Sequence, residues 1–195
     1  LLPVFRKEVT LLIEVDKAKD IKKAIEWVQK QDIDVIFTGV SEGFRVADEL
    51  AKANIPVIVG PTLSTPSQDY DRYDRPYANP GILQKAGVKV AIRTMETENV
   101  RNLPYNAGFA AAYGMSEEEA LKAITIIPAQ LFNVADELGS LEKGKQATLF
   151  VSTGHPFETS TDVEHVFSGG CQIPMSSRHI ELYEEFLERS PGLKN

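Results

Sequence analysis

Apolar positions fall into a regular alternation over the first ninety residues. Four short aliphatic runs, TLLIEV (10–15), DVIFTGV (34–40), IPVIVG (55–60) and VKVAI (88–92), are separated by segments with a different period. Over 19–31, Ile21, Ala24, Ile25 and Val28 recur at i, i+3, i+4 and i+7, which is one face of a helix. Over 42–54, Val46, Ala47 and Leu50 form a second such stripe. A loop with prolines and tyrosines runs over 61–80, and GILQKAG (81–87) fits a short helix stopped by Gly87. Strand and helix alternating with short connections predicts βαβ units and a parallel sheet. The strand runs are continuous rather than alternating, which predicts a sheet covered on both faces.

Beyond residue 100 the pattern turns helical. NLPYNAGFAAAYG (102–114) is rich in small residues and ends on Gly114. A longer segment, 116–135, opens with Ser116 and Glu119 at capping-box spacing and carries Pro128, which is expected to kink or divide it. The tail then changes character. GSLEKGKQATLFVS (139–152) and VEHVFSGGCQI (163–173) read as β structure, with Gly169-Gly170 as a hairpin turn. SRHIELYEEFLERS (177–190) is an amphipathic helix with Ile180, Tyr183, Phe186 and Leu187 on its apolar side.

Charge narrows the partners. A formal charge of -7 on 195 residues argues against nucleic acid or an anionic membrane surface, since both select basic faces. No run approaches the ~20 apolar residues of a membrane span. Cys171 is the lone cysteine, so no disulfide forms within the chain and no CxxC motif exists. The opening LLPVF reads as interior sequence, and the compartment stays open between cytoplasm and periplasm.

The tail carries the most specific motif. Thr125, Pro128 and Ala129, then Gly139-Ser140-Leu141 with Gly144-Lys145, then Gly154 and Pro156, then Val163, Val166 and Gly169, resemble the amidohydrolase superfamily near its imidazolonepropionase-like and prolidase-like members. VGP (59–61), AGVKVAI (86–92) and NVRNLPYNAG (99–108) are similar to it too. The resemblance implies an α/β fold: the C-terminal half of a TIM-type (β/α)8 barrel, strands 5 to 8, with a few strands of a small β-sandwich. The expected division is 1–137 for the barrel half, 138–175 for sandwich strands and 176–195 for the terminal helix. A whole barrel takes about 250 residues, so the strands before these would come from elsewhere. A homo-oligomer or association with an N-terminal half is therefore expected, because open sheet edges invite pairing.

The resemblance also implies a hydrolase of carbon–nitrogen bonds, in a non-peptide or dipeptide amide, using zinc or another divalent metal. The ligand positions that fall in this chain are filled otherwise. Glu14 stands where a strand-end His is expected, the second His position falls on or near Gly39, and the Asp position falls on Met95, beside Glu96. All three histidines, His155, His165 and His179, lie in the tail. No metal and no other cofactor is expected to be held by this chain. Glu14 and Glu96 are the candidate catalytic acids, with a competing reading as strand-end polar residues, Glu14 paired to a Lys or Arg. In the loop after the third strand, Tyr70, Tyr73, Tyr77 and Arg72 are candidates to line a pocket for a small-molecule substrate, with Arg101 beside the fourth strand as an anion contact. The alternative is a metal-free, non-catalytic relative that binds or supports.

Overall fold

The structure, a computed structural model, describes residues 2–189. After a single helical turn, α1 (Leu2–Phe5), the chain forms β1 (Leu11–Val15), α2 (Ala18–Val28), β2 (Val35–Gly39), α3 (Ala47–Lys52), β3 (Val57–Val59), α4 (Arg75–Lys85) and β4 (Val90–Ile92). The four strands pair in parallel in the order β1-β2-β3-β4, and no closed barrel forms among the described residues. Helices follow: α5 (Leu103–Ala112), α6 (Glu117–Lys122) and α7 (Ile126–Leu131). A second, antiparallel sheet contains β5 (Leu149–Ser152), β6 (Val163–Ser168) and β7 (Cys171–Ile173), and α8 (Arg178–Arg189) ends the described chain.

Two compact units result. One holds 1–145 with 156–159, and the other holds 146–155 with 160–195. In the second unit, β6 and β7 are joined by Gly169-Gly170 with φ of 56° and 82°, the pair of left-handed residues that a two-residue hairpin demands. The apolar side of α8 carries Ile180, Tyr183 and Phe186, all exposed, with Leu187 half-buried.

In the first unit, the predicted helix stripes are the core. Ile21, Ile25 and Val28 from α2, Val46, Ala47 and Leu50 at α3, and Leu83 from α4 pack against Val35, Phe37, Val57, Val59, Val88 and Val90. These strand residues share one face because side chains alternate along a strand. The opposite face is covered only in part. There Ile36 and Ala91 bury against Leu131 of α7, while Leu12 stays 47% exposed and Glu14 points outward. The expectation of a sheet covered on both faces therefore fails at β1, whose burial alternates because no helix among the described residues lies over its second face.

Three helix boundaries also differ from the sequence reading. The segment 42–54 is broken into a 3₁₀ turn (Gly43–Arg45) and α3 by Val46, whose φ of -134° and ψ of 25° are not helical. The short helix expected over 81–87 starts at Arg75, inside the supposed loop. Pro76 near its start lacks an N–H that the first turn would not use, so α4 accommodates it. The segment 116–135 divides at Thr125, not at Pro128, which lies in the first turn of α7 where no intrahelical N–H is needed.

Candidate functional site

The C-terminal ends of β2, β3 and β4 share an unusual backbone. Gly39 and Val40 after β2 have φ of 87° and 54°, Gly60 after β3 has 136°, and Met95 after β4 has 58°. A β-branched residue is rarely found there. Val40 is held by its surroundings: it is fully buried, its N–H donates to Val15 O at 2.8 Å, and its carbonyl accepts from Asn79 Nδ2 at 2.9 Å. The left-handed pair also turns Val40 off the face that strict alternation would give it and into the core beside Phe37. Strain of this kind collects at functional sites, where the rest of the fold over-determines it.

Two of these glycines are demanded by space as well as by φ. A Cβ on Gly60 would lie 2.1 Å from the backbone oxygen of Arg93. A Cβ on Gly39 would lie 2.6 Å from Asp16 Oδ1. Asp16 also accepts from Ser41 Oγ at 2.5 Å.

An ion pair spans this rim. Glu14 on β1 is in register with Thr38 on β2, Thr38 with Ile58 on β3, and Ile58 with Ala91 on β4. Arg93 lies two residues beyond Ala91, on the same face. Its Nη2 donates to Glu14 Oε1 at 2.9 Å and its Nε to Gly60 O at 3.4 Å. The guanidinium thus reaches from the fourth strand to the first, joining residues 79 positions apart. The Arg93 side chain is 23% exposed and that of Glu14 55%.

On the other side of the strand ends, a cleft of about 320 Å³ is lined by Gly39, Ser41, Gly60, Ser64, Arg75 and Asn79, among others. Its wall is tied down by two buried residues that the sequence reading missed. Asn106 of α5 accepts from the N–H groups of Thr62 and Leu63 at 2.8 and 3.1 Å. Glu42 accepts from Ala18 N–H at 2.8 Å, Gln68 Nε2 at 2.8 Å and Ser67 Oγ at 3.2 Å. Burial pushes the Glu42 carboxyl up, but those three donors and the nearby Arg45 charge outweigh it, so its pKa falls below the ordinary value. Glu42 caps α2 from a distance, in place of Lys17, which has no capping side chain contact. Capping from a separate element leaves no local spacing by which a sequence reading could find it.

The remaining sequence candidates do not gather in one place. Tyr70 is 79% exposed, with the guanidinium of Arg45 5.7 Å from its ring, and Arg45 is ion-paired with Asp71. Arg72 pairs with Asp74 at 2.8 Å. Tyr77 packs against Phe109 and Tyr113 at centroid distances of 5.3 and 5.0 Å. Tyr73 hydrogen-bonds Tyr113, whose phenol pKa is raised by that bond. Arg101 and Glu96 are exposed, and the N–H of Glu96 meets Thr94 Oγ1 at 3.4 Å.

Among the described residues no three His, Cys, Asp or Glu side chains cluster as ligands. Glu14 already carries a guanidinium at 2.9 Å. Two unit charges about 4 Å apart repel by about 4 kcal/mol at the effective dielectric of a protein surface, and a dication doubles that. Gly39 offers no side chain, and at Met95 a thioether, a soft donor, stands 56% exposed.

A family model for the amidohydrolase family matches residues 77–173. Among solved structures, an amidohydrolase from Thermotoga maritima MSB8 is similar at 30% identity and TM-score 0.76, over 89% of this chain and 45% of that one. A prolidase complexed with N-methylphosphonate-L-proline is similar at 18% identity and TM-score 0.64, over 85% of this chain and 45% of its own. A molinate hydrolase is similar at 20% identity and TM-score 0.64, over 88% and 45%. The latter two share the fold. A search of curated proteins finds no match. The chain spans about half the length of the structures it resembles, 45% in each of these three. Its parallel sheet, its GSLEKGK tail and this set of relatives agree: the chain belongs to the amidohydrolase superfamily.

Proposed function

We propose that the chain supplies barrel strands 5 to 8 of an amidohydrolase-type hydrolase. The substrate is a small molecule with a carbon–nitrogen bond, in a non-peptide amide or a dipeptide, lying over the C-terminal ends of β1 to β4. The observation that carries this reading is the rim itself. Four parallel strands lie in sequence order, and three of them, β2 to β4, lead into left-handed residues next to a cleft of about 320 Å³. The outer edges of β1 and β4 are where further strands would pair, supplied by a second copy or by an N-terminal half.

A second reading is favoured by the Arg93–Glu14 pair: a metal-free relative that binds rather than hydrolyses. One assay separates them. Purified protein is incubated with a panel of dipeptides and N-acyl amino acids, with and without added zinc or manganese, and free amine is measured. The hydrolase reading expects release that Glu14→Gln lowers at least tenfold. No release from any member of the panel under either condition would count against hydrolysis by this chain alone and favour the binding relative.

A further inference from the structure

We infer that Arg93 makes the rim a binding site for a small molecule ending in a carboxylate, with the chain's own guanidinium as the cation. This rests on the strand ends being the binding face. A guanidinium has five N–H donors. Arg93 uses one on Nε toward Gly60 O and one on Nη2 toward Glu14, which leaves three without a partner among the described residues. The side chain is nonetheless more than three-quarters covered. A guanidinium with three idle donors, held in a fixed plane at the end of a mostly buried side chain, is prepared for an acceptor.

The geometry selects the class of acceptor. Glu14 and the Gly60 carbonyl hold the guanidinium at two points, so its orientation is set before a ligand arrives. The free fork of a guanidinium matches the two oxygens of a carboxylate. One charge is already balanced by Glu14, and the chain carries -7 overall, so a singly charged carboxylate suits the site better than a dianionic phosphate. On the face between Glu14 and Arg93 the strands raise Thr38 and Ile58, and beyond them Gly39 and Gly60 raise no side chain. A ligand would place its carboxylate on Arg93 and its body along the strand ends.

The test compares N-acetylglycine with N-acetylglycinamide, which differ in the carboxylate alone. Calorimetric titration of the native protein is expected to show at least a tenfold preference for the acid, weakened by added salt. In protein carrying ¹⁵N-arginine, the Arg93 Nε–Hε signal, assigned by its loss in Arg93→Lys, is expected to move with the acid and not with the amide. The double variant Glu14→Gln with Arg93→Gln replaces the ion pair by a neutral pair, and it should bind both compounds equally. Equal affinity in the native protein, an Arg93 signal that the acid leaves in place, or a preference that survives in the double variant would each overturn the inference. Carboxylate binding through Arg93 without amine release would support it while removing the hydrolase reading. Amine release whose KM ratio for acid and amide substrates is the same in the double variant would do the reverse.

Discussion

Glu42 shows how one side chain sets a local stability. It accepts three hydrogen bonds while 6% exposed, and its pKa lies below the ordinary carboxylate value. A depressed folded pKa stabilises above the unfolded value and loses that stabilisation as pH falls through the folded one. Acid titration of unfolding should therefore show a loss of stability below the usual carboxylate range, and Glu42→Gln should flatten that loss. Glu42→Ala strands the Ala18 N–H and should cost about 1–3 kcal/mol in urea unfolding. Gly60→Ala presses a methyl to 2.1 Å from the Arg93 oxygen and adopts a left-handed φ. It should cost about 2–4 kcal/mol and loosen the Arg93 backbone, which unfolding curves would detect. A Gly60→Ala protein as stable as the native one would remove the argument for a rigid rim. A Lys or Arg partner for Glu14 was inferable from the residue alone. That the partner is Arg93, 79 positions on, was not, because only pairing of β1 through β4 brings the two together.

Elements follow their local signals where those signals are complete. Ser116 caps α6, accepting from Glu119 N–H at 3.2 Å, as its spacing to Glu119 indicated. Ser116→Ala should lower stability by about 0.5–2 kcal/mol, read from thermal unfolding, with no change in the fold. At the other end of α6, Lys122 is pushed up to about 12 by bonds to Glu118 and Glu119, so it stays charged across any practical pH. The start of α4 was hidden because DRPYANP (74–80) has the composition of a loop. The helix exists there because Asn79, Pro80 and Leu83 are buried, with Asn79 bound to Val40 O and Leu83 in the main core. Packing, not propensity, sustains such a helix.

At the scale of the molecule, the open face and edges decide behaviour. Leu12 is 47% exposed on the face opposite the helices, and β1 is an edge strand with Leu2, Phe5 and Val9 exposed nearby in sequence. Such an edge is a template for association. Sedimentation velocity over a micromolar range should show mass rising with concentration, and Leu12→Lys should shift the protein toward monomer. A single monomeric species across that range, in both proteins, would contradict the proposed pairing at the edges.

The sequence by itself determined the parallel order of elements, the residues of the main core, the Gly-Gly hairpin and the family, because each depends on local period or on contiguous motif. Tertiary structure alone decided which faces are covered and which charges meet. The β1 run is mostly apolar, yet it buries only one side, since burial depends on what packs above and not on the strand. Glu42 with Ala18, Asn106 with Thr62 and Arg93 with Glu14 are contacts at separations of 24, 44 and 79 residues. No spacing rule reaches that far. Such pairs exist only after the backbone has folded, and at this rim they decide that a strand end carries a guanidinium on a carboxylate.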